Sequence, residues 1–215
     1  MRPPNSPKIY HILHVDRLPF VLASGGLLPD TQMQGRDGHG TVIGMPDLKA
    51  HRLTRPVDGH SGLTVGGCAP FYLCSKSFML YILHKANHPN LAYRGGQKPI
   101  VHLEADMRAV VDWADGQGRR WAFTLGNASA NYAEFRTSLA QLVDVIWQAV
   151  LGTDFSTPAT KDAKQAEFLL EGGFPWELVE RIGVIDNTIA QAVFDAMGAG
   201  GGHRPQVEIK RGWYY

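Results

Sequence analysis

Lys164-Gln165-Ala166-Glu167-Phe168-Leu169-Leu170, followed by Gly172-Gly173-Phe174-Pro175-Trp176, is the stretch on which the reading of this chain turns. Its alanine, phenylalanine and two leucines, with no helix cap ahead of them, suit a buried strand of about six residues. The Gly-Gly pair and Pro175 end it. Side chains two apart on a strand share a face, so Gln165 and Glu167 point one way while Ala166 and Phe168 point the other. A carboxylate among apolar neighbours, with an amide beside it, is a costly arrangement unless something pairs with it. The plain alternative is a glutamate on an edge strand, facing water.

Around that stretch lie 215 residues, enough for one globular domain with a real core. Hydrophobic residues make up 44% and charged residues 19%, which excludes a disordered chain. The net charge of +1 says nothing about partners, but its distribution does. Between Gly44 and Lys98, seven basic residues (Lys49, Arg52, Arg55, Lys76, Lys85, Arg94, Lys98) face two acids, Asp47 and Asp58. That surplus fits a polyanion partner and equally a solvated basic face. Cys68 and Cys74 lack zinc-site spacing, and no metal is expected. The opening Met1-Arg2-Pro3-Pro4-Asn5-Ser6-Pro7 has no apolar core of a signal peptide, and residues 1–7 are expected to be flexible. No apolar run reaches membrane-spanning length, so the expectation is a cytoplasmic protein away from membranes.

In chain order, Lys8 to His14 reads as a strand, with Tyr10, Ile12 and His14 on one face and Ile9, His11 and Leu13 on the other. Asp16 can cap a helix from Arg17 to Ser24 that stops at Gly25-Gly26. Residues 29–44 read as a loop, Pro46 to Leu53 as a helix, and 54–67 as a mobile glycine-rich loop. Ala69 to Cys74 is a strand, and Ser77 caps a helix running to about Ala86, with Lys76 at a turn suited to an anion. A strand at Pro99–Leu103, a helix at Asp106–Trp113 and a strand at Trp121–Thr124 follow. A helix is expected near Leu139–Trp147, then a loop with Asp154, Thr157, Pro158 and Lys161. After the central strand come a short helix from Trp176 to Arg181, a strand at Gly183–Ile185 and a helix from Thr188 to Met197. That helix ends in Gly198-Ala199-Gly200-Gly201-Gly202, and Gln206 to Lys210 is the last strand. Short strands mixed irregularly with helices argue for an α+β fold in a single domain over 1–215. A Walker loop, GxGxxG, HExxH and GxSxG are absent.

Taken together, Ile9-Tyr10-His11-Ile12-Leu13-His14-Val15-Asp16, Pro70-Phe71-Tyr72-Leu73-Cys74, Met79-Leu80-Tyr81, Lys164 to Leu169, Phe174-Pro175-Trp176 and Trp213-Tyr214-Tyr215 resemble the DarT family of toxins that ADP-ribosylate DNA. The resemblance runs in matching order from about residue 8 to the end. It implies the ADP-ribosyltransferase fold, two small mainly antiparallel sheets forming an NAD cleft with flanking helices. It also implies NAD as co-substrate, thymine in single-stranded DNA as acceptor, and a macrodomain antitoxin (an ADP-ribosylglycohydrolase) as partner; a monomer is expected. Carried over by position, Glu167 matches the catalytic glutamate and Arg52 the catalytic arginine. Arg55 lies one turn on and is the alternative to Arg52. His11, Ile12 and Leu13 match the first-strand segment that contacts NAD, and Phe20 and Leu28 match positions lining the same pocket.

The family usually has Pro-Arg where this chain has Ser75-Lys76, and a polar, aromatic-containing approach where it has Val65-Gly66-Gly67-Cys68-Ala69. Lysine keeps the charge but loses the bidentate fork, which bears on DNA affinity or sequence preference more than on NAD chemistry. Lys76, Arg94 and Lys161 are candidate DNA contacts, and Tyr72, Tyr93 or Trp121 could stack bases. The competing readings are transfer to RNA or protein, and a nucleic-acid-binding relative without catalysis.

Overall fold

A computed structural model describes residues 1–154, 156–198 and 202–215. Strand β1 (Lys8–His14) leads through a 3-10 turn into α1 (Leu18–Ala23) and the short β2 (Gly26–Leu27). Helices α2 (Asp30–Met33) and α3 (Pro46–Thr54) precede β3 (Cys68–Tyr72). Ser77 Oγ accepts from Leu80 N and caps α4 (Phe78–Lys85), as its sequence position suggests. Then come β4 (Ile100–Asp106), α5 (Met107–Gly116), whose first turn Asp106 caps, and the pair β5 (Trp121–Asn127) and β6 (Phe135–Arg136). Helices α6 (Trp147–Leu151) and α7 (Pro158–Ala163) lead to β7 (Ala166–Glu171), β8 (Phe174–Pro175) and β9 (Arg181–Val184). Helix α8 (Asn187–Met197) and β10 (Gln206–Ile209) complete the chain. The glycine run expected after α8 falls partly at residues 199–201, outside the described residues.

Among the described residues, eight strands form one sheet in the order β10-β9-β4-β1-β3-β7-β5-β6, and β2 pairs with β8 in a separate two-stranded sheet. The pairings between these strands are antiparallel except β9 with β10. The decisive feature is the middle of the large sheet. β1 is zipped to β4 from Lys8↔Asp106 to His14↔Ile100, and β3 to β7 from Cys68↔Glu171 to Tyr72↔Glu167. The backbone ladder between β1 and β3 is confined to Tyr10↔Tyr72. In place of the two small sheets of the sequence expectation there is one eight-stranded sheet, whose two four-stranded halves share a single backbone-ladder pair, and the small β2-β8 sheet. Proline at position 70 fits this seam, because it has no N–H to offer a neighbouring strand. Its carbonyl instead takes a side chain, with His11 Nδ1 at 2.7 Å.

The larger core covers the face carrying Ile9, Leu13, Phe71, Leu73, Phe168 and Leu170, and α1, α5 and α8 bury Val21, Val110 and Val193 against it. β7 lies between β3 and β5, so Glu167 is not on an edge; with Phe168, Leu169 and Leu170 it is buried. Two smaller clusters sit elsewhere, one on Ile12, Leu80, Leu83 and Tyr214, the other on Val57, Leu63, Val65 and Leu169.

Several local readings are corrected. The expected helix near Leu139–Trp147 is a 3-10 helix, Leu139–Asp144, followed by α6. The Trp147 indole donates to Leu142 O at 2.8 Å, taking a carbonyl that a continuous helix would use. The loop expected around Thr157 contains α7, begun by a reciprocal Thr157/Thr160 capping box with Pro158 in its first turn. The helix expected from Trp176 to Arg181 is one 3-10 turn, Trp176–Leu178, after which Glu180 N bonds to Glu104 O and draws the chain into β9. The segment 54–67, expected to be mobile, is pinned by a Pro56↔Thr64 bridge and buried Val57, Leu63 and Val65. At the start, Ser6 and Lys8 bond to Asp106, and Met107 N bonds to Pro7 O.

Candidate active site

Where β1 and β3 part, a cleft of about 450 Å³ opens. His11, Ile12, Leu13, Phe20, Leu28, Arg52 and Glu167, far apart in sequence, all line it, so the fold gathers these predicted residues in one place. Tyr72, Gln165, Asn127 and Asp30 also line it. Its volume lies within the range of small-molecule sites.

Glu167 sits on β7 opposite Tyr72 of β3. Its backbone N–H donates to Thr124 Oγ1 at 3.0 Å, fixing the strand against β5. Arg52, in the last turn of α3, donates from Nη1 to Glu167 Oε2 at 2.9 Å and faces Oε1 at 3.3 Å. The pair is largely enclosed, with side-chain exposures of 11% and 8%. Ala128 N approaches Glu167 Oε1 at 3.4 Å. Asp30 Oδ2 lies 3.7 Å from Arg52 Nε. Burial works against charge on Arg52, but Glu167 and then Asp30 outweigh it and hold its pKa above the ordinary arginine value. Tyr72 is pushed well above the usual phenol range by burial and by the Glu167 carboxylate, so it stays a neutral phenol.

His11 is driven down to about 4 by burial, with the Pro70 carbonyl opposing. A carbonyl oxygen can only accept, so Nδ1 carries the proton and Nε2 of the neutral ring is an acceptor. Gln165, one residue before β7, takes Asn127 Nδ2 at 3.3 Å on its Oε1, while its own Nε2 donates to Lys161 O. This fixes the amide beside Glu167, as the Gln-x-Glu spacing suggests.

Arg55 is elsewhere. Its guanidinium lies over the Phe135 ring, approaches the Ala130 and Ala133 carbonyls and pairs with Asp58. Lys76, Arg94 and Lys161 are not among the cleft-lining residues. Lys76 Nζ stands over the Tyr215 ring, Arg94 donates to the carbonyls of Ala86 and His88 that follow α4, and Lys161 is exposed on α7. Trp121 is core, stacked on Phe168 with its indole bonded to Asp115. Tyr93 packs against His14. Sequence reasoning missed Asp30 and Asn127. The only signal for Asp30 was an acid one residue after Pro29, the pattern of a helix start.

Among the described residues, no group of three or more His, Cys, Asp or Glu is placed to hold a metal, and no helix is long and apolar enough to cross a membrane.

A family model described as DarT, an ssDNA thymidine ADP-ribosyltransferase, matches residues 10–215. A DNA ADP-ribosyl transferase of Thermus aquaticus is 35% identical over 208 residues, covering 96% of this chain and 88% of that protein. The structure of Thermus sp. 2.9 DarT in complex with ADP-ribosylated ssDNA aligns with a TM-score of 0.90 at 29% identity, over 100% of this chain and 99% of that one. The same Thermus protein in complex with NAD+ aligns at 0.83 over the full length of both chains. With its fold and its sequence from residue 10 onward in agreement, the chain belongs to the DarT family of ssDNA thymidine ADP-ribosyltransferases.

Proposed function

We propose that this protein binds NAD in the cleft between β1 and β3 and transfers its ADP-ribose to a thymine base of single-stranded DNA. The observation that carries the reading is the enclosed Glu167–Arg52 pair in that cleft. The bond from the ribose anomeric carbon to nicotinamide breaks, and positive charge develops on the ribose. Glu167 is the group that stabilises this charge, which is absent in the ground state, and such interactions raise rate. The new bond forms between the anomeric carbon and the thymine ring nitrogen, whose proton passes to solvent. Arg52 remains charged throughout, so it cannot take that proton. It stabilises the thymine anion and the NAD phosphates instead. His11, Ile12, Leu13, Phe20 and Leu28 hold NAD, with the His11 ring as a neutral acceptor.

A base must be unstacked to present its ring nitrogen, which favours a single strand. Lys76, Arg94 and Lys161 contact the DNA flanks outside the cleft, and Tyr72 offers a ring within it. The enzyme acts as a monomeric single domain, and a macrodomain antitoxin reverses the mark, as the family resemblance implies.

The test is transfer of labelled ADP-ribose from NAD to single-stranded oligonucleotides with thymine, the same without thymine, and matched RNA. Label on thymine-containing DNA alone is expected, with Glu167→Ala slower by on the order of 10²–10³-fold. Label on RNA or on the protein would overturn the acceptor; binding of NAD without label would point to a relative that binds without transfer.

A further inference from the structure

Arg52 stands between two carboxylates, and only one of them has a part in the chemistry above. Nη1 is on Glu167 at 2.9 Å, Nε faces Asp30 at 3.7 Å, and Nη2 is buried without a hydrogen-bond partner. Asp30 begins α2, lines the same cleft and has Lys49 Nζ at 3.8 Å on its other oxygen. Its side chain is 22% exposed, twice as open as that of Arg52.

This resting arrangement is not the one that transfer requires. While Arg52 sits on Glu167 it compensates the carboxylate, and a compensated carboxylate stabilises a developing ribose cation poorly. Withdrawing Arg52 with nothing to receive it would strand a guanidinium in an enclosed site, which is strongly unfavourable. A second carboxylate less than one ångström beyond hydrogen-bond reach removes that penalty. We propose that Asp30 is a positioning residue: it receives Arg52 as NAD enters, which frees Glu167 for the ribose and leaves Nη2 for an acceptor on the substrate. Asp30 acts through Arg52 and does not touch the reacting atoms. The proposal rests on the transferase reading given above.

Two variants and two measurements test it. In Asp30→Asn the amide keeps the shape and loses the charge, so kcat for transfer is expected to fall about 10–100-fold with KM for NAD within about twofold. Asp30→Glu is expected to restore part of the loss. Independently of turnover, the Arg52 Nε–H signal in 15N NMR is expected to shift when a carbocyclic NAD analogue binds the wild type, and to stay in place in Asp30→Asn. An unchanged kcat in Asp30→Asn would overturn the proposal. So would a raised KM for NAD at constant kcat, which would make Asp30 an NAD-binding group. If the wild type transfers nothing to DNA, the acceptor reading fails while the NMR titration still decides this one, a stationary Arg52 signal being the negative result. The wild-type titration also decides it should Asp30→Asn fail to fold.

Discussion

Arg52 and Arg55 are three residues apart, yet their guanidinium groups have different surroundings. The first is enclosed against Glu167; the second packs on Phe135 and reaches backbone carbonyls near β6. Substitution by lysine separates them, because it keeps the charge and removes the planar fork. Arg52→Lys is expected to lower kcat/KM for transfer by about 10²-fold, through loss of geometry around Glu167 and the acceptor. Arg55→Lys is expected to leave transfer within about threefold and to cost about 1 kcal/mol of stability, from the lost carbonyl and ring contacts. Kinetics on a thymine-containing oligonucleotide and urea melts of both variants check this; a larger loss of transfer in Arg55→Lys would reverse the assignment. The sequence could show that Glu167 needed a partner but could not supply one. Arg52 is 115 positions away, and neither strand periodicity nor helix signals connect the two. Matching to a family supplied the positions. Asp30 lay beyond both routes, because its meaning depends on what α3 brings beside it.

At the level of elements, Trp213 and Tyr214 pack against the sheet. Trp213 lies edge-on to Tyr10 and His102, and the Tyr214 hydroxyl donates to Ile100 O and approaches Gly183 O. Gly183 of β9 makes room for this: a Cβ there would come within 2.2 Å of the Trp213 ring. Gly183→Ala is therefore expected to push Trp213 off the sheet and destabilise the fold by about 2–3 kcal/mol. An unchanged thermal midpoint, or unmoved tryptophan fluorescence, would show that the ring has room to shift. Lys164 ties another pair of elements together. Buried to 1% exposure, it donates to the carbonyls of Val150 and Gly152 at the end of α6, each at 2.6 Å. Lys164→Met is expected to cost about 2–4 kcal/mol by leaving those carbonyls unsatisfied, read as a lower urea midpoint. Such elements were legible to different degrees. β7 declared itself because an apolar run closed by Gly-Gly admits few other readings. α5 and α8 carried caps and apolar spacing that need no tertiary context. The break between the 3-10 turn after Ser138 and α6 was not legible, since it depends on an indole reaching back five residues to Leu142. α7 is legible in its Thr-Pro-x-Thr start, though the polar residues around it read as a loop.

For the molecule as a whole, backbone pairing is thinnest at the seam between the two halves of the sheet, and two histidines cross it. His11 of β1 reaches Pro70 of β3, and His102 of β4 places Nε2 3.0 Å from Ser75 O, just past β3. Both are driven down to about 4 by burial, against weaker help from their carbonyl partners. The folded protein thus refuses a proton that the unfolded chain accepts below about pH 6.5. Stability from this source is fully present above that pH and is lost as pH falls toward 4. The opening to water at the cleft weakens the effect at His11, whereas His102 is fully enclosed. Between about pH 7 and about pH 5, His102 alone is expected to remove roughly 2 kcal/mol of unfolding free energy. The carboxylates held low by their partners, such as Glu171 beside Arg120, add their loss mainly at lower pH, so this window isolates the histidines. His102→Gln keeps a donor for Ser75 and removes the titration. Urea denaturation at the two pH values should show a clear drop in the wild type and a drop smaller by most of that 2 kcal/mol in the variant. Equal pH dependence in both proteins would mean that His102 is not the group through which acid opens the seam.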